Sequence, residues 1–380
     1  MRLVLAALTV AAAFPSAASA ATVSVVFADS CAGDVACGKY GGGSPVPVTV
    51  LAGSSGESDR VTVTRDGPDF VFRDEGAALE ARAPCRSVDA ATARCAVTVG
   101  APGIRGLGLD LGDGDDAATV AGDLRVETAL SGGPGADALT GGAEDDQIDG
   151  GLGDDRLAGG GGSDELSYAT RTTAVRVDLA AGRGGAAGER DALSGFETLT
   201  GGAGPDRLRG GSAGEVLDGG DGDDRAHGGG GDDVLFGGVG ADRLFGERGD
   251  DQLLGDPDQG DDYYTPLIRL RADRLSGGRG DDALYDTGGR NLYLGGPGRD
   301  VLEGGTGLDV MRAGTGADFV DSEGGRADRV DCGAGVDRAR TDRRRDTRRS
   351  CERRSVADVP SYGAWVARVR LTVRTPRPWR

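Results

Sequence analysis

The sequence predicts an all-β protein, a solenoid of stacked nonapeptide repeats behind a β-rich N-terminal cap. Three observations carry this. Residues 228–245, GGGGDDVLFGGVGADRLF, are two tandem copies of G-G-x-G-x-D-x-U-x, where U is a large apolar residue. Copies of the pattern recur in phase over much of the chain, and each offers one apolar side chain that a lone nonapeptide has no means to bury, so neighbours must stack. Glycine supplies 71 of 380 residues and aromatics only 4%, a balance that a compact globular core does not need.

Each position has a physical reason. Glycines at positions one, two and four tolerate positive φ and let backbones approach closely, so the first half of the repeat is a turn. Position eight, Leu235 and Leu244, sits in a short strand. Position six, Asp233 and Asp242, places a carboxylate beside turn carbonyls. Such an oxygen-rich pocket suits a hard cation, Ca²⁺ best.

The repeats start weakly at LGDGDDAAT, with Asp116 at position six, and become regular at GGPGADALT. Asp137, Asp146, Asp155 and Asp164 then fall nine apart, each followed two residues later by Leu139, Ile148, Leu157 or Leu166. The copy GGAEDDQID carries Glu144 where the fourth glycine belongs. Phase breaks over 168–196, where Val175, Val177 and Leu179 alternate as a strand does, and returns at Glu197 and Leu199. This predicts an insertion that bulges out while the solenoid resumes beneath it.

The second block has Asp206, Glu215, Asp224, Asp233, Asp242 and Asp251 at position six. GGSAGEVLD is degenerate, and Ala226 is a small filler at a core position. His227, the single histidine, falls at position nine and is expected on the surface. A second interruption over 256–271 reads as an exposed acidic loop, with a sugar- or surface-contacting loop as the functional alternative. Phase resumes at Asp273 and Leu275 and continues through Asp282, Asn291, Asp300, Asp309 and Asp318; Asn291 and its glycine-poor turn depart from the pattern.

On these residues the chain resembles the repeats-in-toxin (RTX), or haemolysin-type calcium-binding, proteins over about residues 106–335. The resemblance implies a right-handed parallel β-roll, two nonapeptides per coil, with Ca²⁺ held between successive turns on each side. It implies as metal ligands Asp116, Asp137, Asp146, Asp155, Asp164, Asp206, Asp224, Asp233, Asp242, Asp251, Asp282, Asp300, Asp309 and Asp318, and about six to ten ions. Repulsion among these carboxylates is expected to keep the metal-free chain expanded, so that binding and folding become one event.

Residues 1–20 read as a secretory signal peptide: Arg2, the apolar run Leu3 to Phe14, and the Ala18-Ser19-Ala20 cleavage site. No later stretch is long enough for a transmembrane helix. Secretion, to the medium or the cell surface, is the expectation. Residues 21–105 carry short β-rich runs and read as an N-terminal cap that covers the first coil. The six cysteines lie as three neighbouring pairs, Cys31 with Cys37, Cys85 with Cys95 and Cys332 with Cys351. An exported chain favours disulfides, and neighbour pairing is the expectation among fifteen connectivities. Zinc is the alternative, without any C-x₂-C spacing to support it.

Residues 336–380 form a basic cap and tail, with fourteen arginines against four acids from Arg338 onward in a chain of formal charge −19. Docking of this arm on the acidic roll is one reading and nucleic-acid binding another, the second disfavoured by export and by the missing aromatic interleaving. No H-E-x-x-H, G-x-S-x-G or P-loop occurs, and no catalytic residues are assigned. The function read here is calcium binding coupled to folding, structural or adhesive at a cell surface with a surface or glycan ligand. The alternative is a calcium-dependent extracellular hydrolase or toxin-like effector with its activity in the N-terminal region.

Overall fold

A computed structural model describes residues 21–28, 46–52, 58–67, 69–76, 78–81, 85–96, 106–256, 272–323, 327–341, 346–351 and 353–354. Among them every regular element is a β-strand, as the short x-U-x runs between glycine turns require. They fall into two compact units, one of residues up to 167 with 189–196, the other of 168–188 with the residues from 197 onward.

In the first unit, antiparallel strands Arg60–Asp66, Asp69–Asp74, Thr92–Ala96 and Cys85–Asp89 form a meander. Cys85 and Cys95 face each other in that register and are joined by a disulfide. The meander leads directly into the coils. Strand Val46–Ala52 pairs in parallel with Gly106–Asp110, and Arg60–Asp66 pairs in parallel with Ala117–Val120. From there the strands stack in parallel on two faces. One face aligns Leu109, Leu130, Ile148 and Leu166; the other aligns Ala118, Leu139, Leu157 and Leu193. All eight are buried.

The second unit repeats the plan over more coils. One ladder runs Leu199, Leu217, Leu235, Leu253, Leu284, Leu302, Val320, Ala339. The opposite ladder runs Val177, Leu208, Ala226, Leu244, Leu275, Tyr293, Met311, Val330. Every member is at most 4% exposed. One coil is normally 18 residues, two nonapeptides. It lengthens to 31 across the second interruption, where Arg243 pairs with Arg274.

The segment 168–196 differs from the bulge expected of it. Val175 and Val177 are buried, and strand Arg176–Asp178 is a rung beside Arg207–Arg209. Leu193 is likewise a rung, opposite Leu157. Only Leu179–Gly188 projects, as a hairpin in which Asp178 opposes Arg183 and Val175 bridges Ala186. The apolar residues here have enough burial to gain by joining the ladders that exclusion from the roll is the costlier outcome.

The coils also run past residue 335. Strands Arg338–Thr341 and Thr347–Arg349 continue the two ladders, and a disulfide links Cys332 to Cys351. The signal peptide, Cys31 and Cys37, residues 257–271 of the acidic loop and the tail beyond 354 lie outside the described residues. Among the described residues, no helix is long and apolar enough to cross a membrane.

Candidate metal centre

The site is built from the turn that precedes each strand. In GGDGDDRAH, Gly220 has φ +92° and Gly222 φ +140°, values open to glycine and strained for other residues. A methyl group on Gly219, at position one, would stand 2.5 Å from Asp224 Oδ2 and 2.5 Å from the carbonyl oxygen of Gly237 one coil on. Position one is therefore glycine because two oxygens already converge on that space.

The position-six aspartates are tied into ladders by the backbone. The N–H of Asp206 donates to Asp224 Oδ1, that of Asp224 to Asp242 Oδ1 and that of Asp242 to Asp273 Oδ1, each at 2.8 Å. On the other side Asp233, Asp251, Asp282, Asp300 and Asp318 each donate in turn to the next, ending on Asp337. In the first unit Asp116 donates to Asp137 and Asp137 to Asp155, while Asp146 donates to Asp164. Each bond satisfies Oδ1 and fixes the carboxylate so that Oδ2 faces the turn.

That second oxygen is the informative atom. Oδ2 of Asp116, Asp137, Asp224, Asp242, Asp251, Asp282, Asp300, Asp318 and Asp337 is buried without a hydrogen-bond partner. A buried carboxylate oxygen left unpaired is costly, and a row of them calls for a proton or a counter-ion. Burial pushes Asp116, Asp137, Asp224, Asp242, Asp251, Asp282, Asp300 and Asp318 up against the lowering effect of the N–H bond, and neighbouring aspartates add to the rise. Asp224, Asp282 and Asp300 reach about 7, and Asp242 about 8. Asp233 rises to about 8 for the same first reason, burial. Asp137 and Asp251 rise to about 6, and Asp116 and Asp318 also rise.

The conformation at position two sorts the sites. Gly112, Gly133, Gly220, Gly238, Gly278, Gly296, Gly314 and Gly333 all have positive φ there, as does Glu247 at +80°. Those nine turns hold the nine aspartates just named, and Gly229, at +116°, makes the same turn before Asp233. Asp155 and Asp164 follow turns of the same kind, at Gly151 and Gly160. In three turns where position two lacks positive φ, its N–H turns inward. Gly142 donates to Asp146 Oδ2, Gly202 to Asp206 Oδ2 and Gly211 to Glu215 Oε2. Thr128 also bonds Asp146 Oδ1 through both its N–H and its hydroxyl. The protein thus already donates to both oxygens of Asp146 and of Asp206. Asp309 accepts the N–H of Asn291, and its position-two Gly305 is not in the positive-φ set.

Several ladder members were not among the predicted ligands. Asp191 accepts the N–H of Asp155, Asp328 that of Asp309 and Asp337 that of Asp318. The ladder of the first unit begins in the meander, where Asp59 donates to Asp116. The signal was present as D-x-U pairs, Asp59–Val61, Asp191–Leu193, Asp328–Val330 and Asp337–Ala339, each without a complete glycine frame. Near the second interruption one ligand oxygen each from Asp242, Asp256 and Asp273 lie within 4.8 Å of one another. His227 lies beside this chemistry without joining it: it stacks on Phe245 with centroids 4.5 Å apart, and its Nδ1 meets Glu247 Oε1 at 2.7 Å.

The donor set, a carboxylate oxygen and main-chain carbonyls in a small space, fits a hard oxygen-seeking cation such as Ca²⁺. Stacked glycine turns, each closed by a buried and half-satisfied carboxylate, define a metal-binding parallel β-roll. Its repeats are RTX calcium-binding nonapeptide repeats, and the model of that family matches residues 131–166, 191–226, 218–253, 227–263, 270–302 and 294–326. No curated protein matches the chain.

Proposed function

We propose that the protein is a secreted calcium-binding repeat protein whose roll folds when Ca²⁺ enters the turns. The observation that carries this is the row of buried Oδ2 atoms with no protein partner. A bound divalent ion supplies the positive charge those oxygens lack. The chain's own residues supply pre-aimed carboxylates, carbonyls and the glycine space between them. Extracellular Ca²⁺ is abundant enough to fill sites of about 10⁻⁴ to 10⁻³ M, and the two disulfides fit an extracellular setting. The reading assigns no catalytic role. Equilibrium dialysis against ⁴⁵Ca²⁺ tests it: about six to ten ions per chain are expected, and a stoichiometry near zero would overturn it.

A structural or adhesive role at a surface is supported by one further feature. Arg176, Arg207, Arg225, Arg243 and Arg274 stand in register on adjacent rungs, all exposed. Strands spaced about 4.8 Å apart make this a line of positive charge. It favours an anionic glycan over a neutral one as the surface ligand. With Ca²⁺ present, retention on immobilised polygalacturonate is expected at 50 mM NaCl and not at 500 mM, and R207S/R243S should weaken it. Equal retention of that variant removes the arginine row from the reading.

A further inference from the structure

The turn rebuilt across the second interruption breaks the nonapeptide pattern in two places, and both changes add a carboxylate. Position two after Gly255 is Asp256, and position one of the following coil, glycine in the regular repeats, is Asp286. A methyl group on Gly255 would stand 2.6 Å from Asp273 Oδ2 and meet Asp286 Oδ2 as well. Asp286 therefore points into the space that a main-chain carbonyl lines in the regular coils. Ligand oxygens of Asp242, Asp256 and Asp273 lie within 4.8 Å of one another.

This is more than a set of acids in proximity. Asp242 is 0% exposed with Oδ2 buried and without a hydrogen-bond partner, and Asp286, 3% exposed, meets the Asp273 carboxyl. The coil that gains Asp286 has lost the charge of its own position six, where Asn291 stands. Asn291 Nδ2 donates to the Gly288 carbonyl at 2.7 Å, and its Oδ1 accepts the N–H of Asp273. The amide keeps the ladder intact while the carboxylate moves to position one.

We propose that Asp242, Asp256, Asp273 and Asp286 form one cation site of the roll that, unlike its regular turns, takes a hard divalent cation, Ca²⁺, through four side-chain carboxylates. Ligand charge count is one of the terms that tune calcium affinity, so this site fills before the repeat sites, whose ligands include neutral carbonyls. The same charge and size accept a trivalent lanthanide. The proposal rests on calcium binding by the roll.

The test uses the full secreted chain and the double variant D256G/D286G, which restores glycine at both positions and so returns the turn to the repeat pattern. Calcium binding is followed by isothermal titration and β structure by circular dichroism on the same samples. The wild type is expected to bind one ion at least tenfold more tightly than the rest. The variant is expected to lose that tight class, its turn binding no more tightly than the other repeats, while still gaining β structure with Ca²⁺. Overturning results are a tight ion retained in the variant, or no tight class in a wild type that folds with calcium. The tight class lost in the variant, with β structure indifferent to calcium in both chains, would uphold the site and overturn calcium-coupled folding instead. A chain that binds no ion overturns both.

Discussion

The N–H of Asp224 donates to Oδ1 of Asp242, one coil further on, at 2.8 Å, while Oδ2 of Asp242 is buried with no hydrogen-bond partner. One oxygen of each such carboxylate thus holds the stack of coils together, and the other is left for a ligand. The stacking contact and the spare ligand oxygen belong to a single side chain.

Exchange of Asp242 for asparagine should remove bound calcium and raise the concentration needed for folding several-fold. D146N makes the contrast, because Thr128 and Gly142 already satisfy both Asp146 oxygens. That change should cost about 1–3 kcal/mol through a mispaired buried group yet leave the number of bound ions unchanged. Ion counting by equilibrium dialysis separates the two, and an ion lost from D146N would refute the sorting of sites by the turn.

Space at position one should matter more than at position three. A methyl group on Gly237 would stand 2.5 Å from Asp242 Oδ2, whereas the nearest atoms to one on Gly230 are 4.0 Å away. G237A should cost about 1–3 kcal/mol of stability in calcium by overpacking, and G230A within about 0.5 kcal/mol. Urea melts in millimolar Ca²⁺ would show the difference; equal melts would mean the cradle is not tight.

Acid should favour the metal-free roll and oppose calcium. Asp224, Asp282 and Asp300 rise to about 7 and Asp242 to about 8, first through burial, against about 3.9 in an unfolded chain. Between those values the folded state holds more protons than the unfolded one. Stability of the cation-free roll therefore falls as pH rises from about 4 to about 8. Protons and Ca²⁺ compete for the same oxygens, so the calcium midpoint of folding should move to higher concentration as pH drops from 8 to 6. A midpoint independent of pH over that range would contradict the titration of these aspartates.

Leu235 is fully buried between Leu217 and Leu253 in its ladder. L235A should cost about 2–5 kcal/mol, and because each coil contacts only its neighbours the loss should open the roll locally first. Hydrogen exchange in calcium should quicken around residues 216–254 before it does so elsewhere. Uniform acceleration would argue for a single cooperative unit.

The regular coils were legible in the sequence because one rule, D-x-U every nine residues, fixes turn, strand, core and carboxylate together. The family resemblance was equally plain in those residues. Three things were not legible. Val177 and Leu193 joined the ladders because apolar side chains found rungs at 31- and 36-residue offsets, a choice that tertiary stacking makes and local phase does not. Whether a carboxylate keeps a spare oxygen depended on φ at position two: Gly142 and Gly220 are the same letter in the same place, with opposite consequences. Glu247 takes positive φ despite its side chain, so residue type alone does not reveal that choice either. Asp256 read as part of an acidic loop, and Asp286 as no ligand, until the fold set Asp256 beside Asp242 and Asp273 and Asp286 beside Asp273.

The most direct measurement is far-UV circular dichroism of the chain in EDTA, then in millimolar Ca²⁺, with equal Mg²⁺ as control. β signal that appears with Ca²⁺ and not with Mg²⁺ is the result expected of carboxylates left half-satisfied by the protein. Spectra that coincide in EDTA and Ca²⁺ would contradict the account, since the buried Oδ2 atoms would then be tolerated without any cation.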